Sequence, residues 1–293
     1  MKQKWLLLTL ILGITLTACN FPAVETTTPT LPGSGSALTL DALRNATYFG
    51  PFYQRTVTLM DGSYFINTDT DKYSVTMLDA YALGDLNGDG LDDAAVILAE
   101  NGGGSGIFES VVAVFNENGV PVQAGQAALG DRVLVNSVKI EAGAVVLDVV
   151  VQGPNDPMCC PTLPTMQTYR LVSGQLVLTR FTSRPGNGDE HAVTIASPAD
   201  GAEVTNPFTI TGSVTIAPFE STMVYRILLP DGTLANESSL MVDAPDMGAP
   251  GTFSLTLNLS NAGITGPIRV EIFERSMADG SLVMLASLNL VVR

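Results

Sequence analysis

The sequence predicts a mainly β protein: an antiparallel β-rich domain with one short helix, followed by a β-sandwich. Three observations carry this. Charged residues make up only 15% of the chain, while Val, Ile, Leu and Thr abound, a composition that suits pleated, half-buried strands. Short apolar or alternating runs are punctuated by turn pairs such as Asp61-Gly62, Ser173-Gly174 and Asp279-Gly280. The last part of the chain holds about seven such runs with turns every 8–12 residues, the spacing of a sandwich.

From the N-terminus, Met1-Lys2-Gln3-Lys4 is a short basic stretch and Trp5 to Leu16 an apolar one. The apolar stretch falls short of the roughly 20 helical residues that span a bilayer, and the pattern reads as a signal peptide over residues 1–18. Leu16-Thr17-Ala18-Cys19 resembles the lipobox of bacterial lipoproteins. That resemblance implies that Cys19 is lipidated and becomes the first residue of the mature chain. The alternative is ordinary cleavage beside a chance Cys. A lipidated chain is exported, held on a membrane by its acyl chains, and faces an oxidising, calcium-rich space. Residues 19–37 then form a tether: Thr26 to Pro32 is Thr/Pro-rich and Gly33-Ser34-Gly35-Ser36 follows, too little apolar surface to fold. Loss of Lys2 and Lys4 with the leader takes the net charge from −15 to −17, which argues against nucleic acid or anionic lipid as a direct partner.

Residues 38–181 read as the first domain. Thr39 caps a short helix, Leu40 to Asn45, with Leu40 and Leu43 on one face. Strands are expected at Thr56–Met60, Tyr73–Leu83, Ala94–Leu98, Val111–Asn116, Leu134–Ile140, Val145–Val151, Gln167–Val172 and Leu176–Phe181. They read as an antiparallel meander with the helix packed on it.

Between the second and third of these lies Gly84-Asp85-Leu86-Asn87-Gly88-Asp89-Gly90-Leu91-Asp92-Asp93. Oxygen side chains occupy positions 1, 3, 5 and 9 of a loop with Gly at position 6, the ligand layout of an EF-hand-type calcium loop. The ligands would be Asp85, Asn87, Asp89, Asp93 and the backbone carbonyl of Leu91. Position 12, where an EF-hand has Glu, is Val96, and the residues after the loop read as a buried strand. A calcium loop feeding a strand resembles the FG-GAP and dockerin-like families, a likeness of about ten residues that implies the ion, calcium, as cofactor. The alternative is a metal-free Asx- and Gly-rich turn. No Lys or Arg stands between Lys72 and Arg132, while nine carboxylates do, from Asp79 to Asp131. Carboxylates gathered in one turn repel unless a cation joins them.

Two further loops stand out. Gly102-Gly103-Gly104-Ser105-Gly106 lets a ligand approach the backbone closely or forms a plain hairpin loop; no nearby cation or helix start points to phosphate. In Gly153 to Pro164, Cys159 and Cys160 are adjacent. In an exported protein such a pair reads as a vicinal disulfide, an unusual one because neighbouring Cα atoms sit closer than the common range. Two thiols for a soft metal such as Cu(I), or an intermolecular bridge, are the alternatives. Residues 182–191 read as a linker ending in His191, the sole histidine, with no nucleophile supplied to it.

Residues 192–293 carry the sandwich, with strands expected at Val193–Ala196, Phe208–Val214, Met223–Leu229, Leu234–Met241, Thr252–Leu259, Ile268–Ser276 and Leu282–Val292. In order they bear Ser197-Pro198-Ala199-Asp200-Gly201, Phe208-Thr209-Ile210-Thr211-Gly212, Phe219-Glu220, Pro230-Asp231-Gly232, Gly251-Thr252-Phe253-Ser254 and Phe273-Glu274 through Asp279-Gly280-Ser281. This series resembles the immunoglobulin-like domain of bacterial spore germination. The resemblance implies an immunoglobulin-like, non-catalytic accessory module, and does not by itself imply sporulation. Glu220 is a surface contact or simply an edge-strand Glu.

No catalytic constellation stands out in the chain. The expected function is binding or assembly at the cell surface by a lipid-anchored envelope protein, with an envelope protein or glycan as partner. One alternative is an enzyme or enzyme inhibitor with its site beside the calcium and Gly-rich loops. A second is a thiol redox or copper-handling lipoprotein resting on Cys159 and Cys160.

Overall fold

Helix α1 (Leu40–Arg44) begins where expected, because the Thr39 hydroxyl accepts the Ala42 N–H at 3.0 Å and so satisfies one of the free N–H groups of the first turn. The hairpin of β1 (Thr47–Gly50) and β2 (Arg55–Thr58) follows. Next, β3 (Ser63–Asn67), β4 (Lys72–Gly84), β5 (Asp93–Asn101), β6 (Phe108–Glu117) and β7 (Val120–Asp131) make a five-stranded antiparallel sheet in chain order. A second meander, β8 (Leu134–Glu141), β9 (Ala144–Val151), β10 (Leu163–Val172) and β11 (Gln175–Ser183), covers one face of that sheet. The structure is a computed structural model that describes residues 35–186 and 188–293. The signal peptide, Cys19 and the tether as far as residue 34 lie outside the described residues.

Strand β5 is the centre of the N-terminal part. Its Ala94, Val96 and Leu98 pack with Leu43 of α1, Tyr48 and Val75. Its Ala95 and Ile97 pack on the opposite side with Val138, Val145 and Leu147 of the second meander. Covered on both faces, the strand reads as a continuous apolar run instead of an alternating one. Each large aliphatic side chain so buried contributes about 1.5–3 kcal/mol.

The C-terminal part is a sandwich. One sheet is β12 (Val193–Ser197), β14 (Phe208–Val214) and β17 (Gly251–Leu257). The other holds β15 (Thr222–Leu228), β16 (Leu234–Met241), β18 (Gly266–Arg275) and β19 (Leu282–Val292), with the short β13 (Ala202–Val204) lying parallel to the end of β19. Ile210, Phe253, Met223, Ile227, Ile272 and Leu288 fill the space between them. Alternation is clean in β14 and β17, where every second residue is buried, as a sheet with one wet face requires.

The two parts are joined by hydrogen bonding as well as by chain. Arg180 and Phe181 of β11 pair with Ala286 and Leu285 of β19, so β8–β11 and the larger sandwich sheet form one nine-stranded sheet. Phe181, Phe273 and Leu285 close a small core over that seam. Thr182 and Ser183, at the start of the segment read as a linker, are buried in β11, and Ser183 forms an antiparallel bridge with His191. Among the described residues the protein is mainly β with one short helix and, apart from β13 beside β19, antiparallel sheets, as expected. Strands β1, β3, β7 and β13 are additions to the expected set.

Candidate functional site

The acidic loop enters from β4 and leaves into β5. Gly88 and Gly90 both have positive φ, 83° and 84°, a backbone conformation that a Cβ disfavours. Their placement folds the loop onto Asp85. One Asp85 oxygen accepts the N–H groups of Asn87 and Gly88 at 3.2 and 2.6 Å, and the other accepts that of Gly90 at 3.0 Å. Asn87 and Asp89 serve similar turns: the Asn87 amide oxygen accepts the Asp89 N–H at 2.8 Å and Asp89 accepts that of Leu91 at 2.8 Å. The Asn87 amide also donates to Asp89 at 3.1 Å.

Asp93 differs from the rest of the loop. It is fully buried, and its two oxygens accept the N–H of Leu86 and of Asn116, each at 2.9 Å. It therefore pins the loop to the β6–β7 turn. Burial pushes the Asp93 carboxyl above its usual range, and the charges of Asp89 and Asp85 add to that. Burial also acts on Asp85, but the N–H donors of Gly88, Gly90, Asn87 and Asp89 together outweigh it and hold that carboxyl low. Asp92 is exposed. Among the described residues no three His, Cys, Asp or Glu side chains already converge as a metal cage. The donors present are hard oxygens, the type that calcium takes, although one Asp85 oxygen already accepts two N–H groups and the buried Asp93 carries an N–H on each oxygen.

The Gly-rich loop lies at the other end of β5. Nine residues separate the two loops, roughly 30 Å at about 3.3 Å per residue, so no single compact site contains both. Asn101 organises the Gly-rich loop, donating to the carbonyls of Gly104 and Gly106 and accepting the N–H of Gly103. Arg132 then ties it to the cysteine loop. Its guanidinium donates to the Ser105 carbonyl, to the Met158 carbonyl at 2.9 Å and to Asp131. Asp131 in turn accepts the Ile107 N–H at 2.8 Å. Cys159 and Cys160 are joined by a disulfide, with Cα atoms 3.8 Å apart. The Asp156 carboxylate accepts the N–H of Gly153 and the N–H and hydroxyl of Thr162, closing the rest of the loop.

Two buried carboxylates lie near this end. Glu100 accepts the Tyr73 hydroxyl at 2.8 Å and the N–H groups of Phe52 and Tyr53, which caps the turn between β1 and β2. Glu109 accepts the Val133 N–H at 2.8 Å, and burial raises its carboxyl to about 7. Arg132 and Glu109 escaped the sequence reading. The available signal was that Arg132 is the first cation after a long run of carboxylates.

In the C-terminal part, the His191 backbone bridges to Ser183 while Nδ1 has no partner among the described residues. The Ser183 hydroxyl is committed to the Val283 carbonyl at 2.7 Å. Glu220 is exposed in a turn before β15, in the left-handed region at φ 53°. The buried Glu271 is held between Arg226 and Arg269 on the outer face of β15 and β18. Phe219, Met241 and Met247 are exposed at one end of the sandwich, on segments laced by hydrogen bonds from Val242 to Ser221 and from Gly248 to Ala217. Residues 192–281 match the immunoglobulin-like domain of bacterial spore germination. The C-terminal sandwich is similar to that family from the start of β12 to the β18–β19 turn, and β19, beyond the match, completes its larger sheet. No curated protein matches the chain. Among the described residues no helix is long and apolar enough to cross a membrane.

Proposed function

We propose that this chain is a lipid-anchored protein of the bacterial envelope that works by binding or assembly. The match of residues 192–281 to an immunoglobulin-like domain of bacterial spore germination carries the reading, since an immunoglobulin-like sandwich supplies faces and loop ends for partners. Cys19 is the anchor, residues 19–37 are the tether, and residues 38–181 are a partner-binding head in front of the immunoglobulin-like domain. Calcium stabilises the head. Asp85, Asn87, Asp89, the Leu91 carbonyl and Asp93 would hold it, and the ion would offset the repulsion of the carboxylates gathered there. Cys159 and Cys160 are bonded to each other in the exported protein and hold the shape of their loop.

The test compares wild type with Cys19→Ala in a bacterial host. Wild type should partition into the detergent phase and be cut by protease added to spheroplasts, while the variant should lose the detergent partition. A variant that partitions like wild type would remove the anchor. Protection of the wild type in intact spheroplasts would remove the export. Cross-linking on whole cells, with and without EDTA, then reads partner engagement; an absence of any adduct in both arms would count against binding or assembly.

A further inference from the structure

A groove of about 310 Å³ lies where the two β parts meet, a size at the low end for ligand pockets and a place where they concentrate. Its origin is topological. Strand β19 is paired on this side by β11 at Leu285 and Ala286 and by β13 from Leu290 to Val292. Ser287 and Leu288 fall between, where neither strand reaches. The β10–β11 hairpin forms one wall and β12 with the turn through Pro198 and Asp200 forms the other.

The charge of this groove is unlike that of the rest of the chain. Twelve Lys and Arg fall among the described residues, and eight of them pair with a carboxylate. Of the four that do not, Arg275 rests on the Phe273 ring and donates to Gly280. Two others, Arg170 and Arg180, both line the groove. Arg170 donates one bond to the Ala142 carbonyl at 3.0 Å, which leaves most of its five N–H donors free. Arg180 is exposed, and beyond its backbone ladder its side chain has no hydrogen-bond or ion-pair partner among the described residues. The carboxylate that lines the groove, Asp200, is turned to Asn289, accepting its backbone N–H at 2.8 Å and its amide at 3.1 Å. It forms no ion pair with either arginine. The hydroxyls of Thr168 and Thr179 stand beside them, the latter donating to the Thr168 carbonyl at 3.1 Å, and Ile195 and Pro198 supply apolar surface. Free guanidinium forks select carboxylate or phosphate. Hydroxyls beside an apolar floor suit the two faces of a sugar ring.

We propose that this groove binds an acidic saccharide, with Arg170 and Arg180 on its carboxylate or phosphate and the hydroxyls on the ring. The inference deepens the envelope-binding reading, on which its biological setting rests, yet its test needs neither the anchor nor calcium. The full-length chain in detergent is titrated calorimetrically with oligogalacturonate, with a neutral oligogalactose, with oligomeric glycerol phosphate and with inorganic phosphate. An acidic oligomer should bind at least about tenfold more tightly than the neutral one, and Arg180→Glu should weaken it by a further tenfold or more, about 1.4 kcal/mol per tenfold. Whichever acidic oligomer binds identifies the anion. Arg180→Glu touches no internal contact and so decides the matter even if Arg170→Glu fails to fold. Equal binding of acidic and neutral oligomers, binding of inorganic phosphate alone, no binding at all, or undiminished binding by Arg180→Glu would overturn the proposal. Loss of saccharide binding with detergent partition intact removes this groove and leaves the envelope reading; the reverse result removes the anchor and leaves the groove.

Discussion

At Asp93 one side chain closes the acidic loop and secures it to the neighbouring turn, because each oxygen holds a buried backbone N–H from a different segment. Asp85 and Asp89 bind N–H groups only within the loop. The two kinds of carboxylate should separate under mutation. In EDTA, Asp93→Ala should lower stability by about 1–3 kcal/mol, the usual cost of leaving buried N–H groups without partners. Asp85→Ala and Asp89→Ala should mainly abolish the rise in melting temperature on adding calcium. At about 100 times Kd that rise reflects about 2.7 kcal/mol. The exposed Asp92→Ala should keep it. A wild-type midpoint unmoved by millimolar calcium leaves the loop as an acidic turn. Glu109 carries a different dependence. Burial lifts its folded carboxyl to about 7 from a reference of 4.5, so between these values the folded state binds the proton that the unfolded state has released. The stability from this group is full below pH 4.5 and is lost as pH rises through 7. Glu109→Gln should therefore flatten the decline in stability from pH 5 to about 7 in urea titrations, and an unchanged slope would refute the assignment.

At the level of the element, Arg132 joins two loops that are far apart in sequence, the Gly-rich loop after β5 and the cysteine loop after β9. Arg132→Ala should raise hydrogen exchange at amides of both 102–107 and 153–162, while exchange in β5 stays slow. Loosening of the Gly-rich loop alone would show that the cysteine loop is held by Asp156 and its disulfide without help. This hub explains what could be read from the chain and what could not. The acidic loop is contiguous, so its ligand spacing is visible in ten residues. The loop carbonyls that Arg132 reaches lie 26 and 27 residues away, and no local pattern announces them. The same contrast holds among strands. Ala94 to Leu98 reads as a strand because both of its faces are buried. Strand β7, Val-Pro-Val-Gln-Ala-Gly-Gln-Ala-Ala-Leu-Gly-Asp, lacks β-branched residues after Val122, and two register shifts break its pairing with β6. Strand β13 is three residues long, below what periodicity can detect. Tertiary pairing, and not local preference, makes both of them strands.

On the scale of the whole molecule, the seam between β11 and β19 decides whether the chain behaves as one body or two. The N-terminal cores around β5 and the sandwich core are separate groups of residues. They are bridged by the small cluster of Phe181, Phe273 and Leu285 and by the short β11–β19 ladder. The sandwich core draws its residues from Val193 to Val292, so it has what it needs to hold together if the seam opens. The seam also shapes the arginine-lined groove, whose floor is the stretch of β19 just past it. Phe181→Ala removes the side chain that packs from β11 onto both Phe273 and Leu285. Deleting a buried Phe costs about 3–5 kcal/mol, and here the loss should fall mainly on the coupling between the parts. Calorimetry of the wild type should give one cooperative unfolding transition, and that of Phe181→Ala two, with the sandwich transition less displaced than the other. Arg269→Ala, which leaves Glu271 paired with Arg226 and removes no contact of Phe181, Phe273 or Leu285, is the control and should keep a single transition. Two transitions already present in the wild type would mean that the ladder and its small core do not couple the parts, and that the groove between them opens as freely as the linker allows.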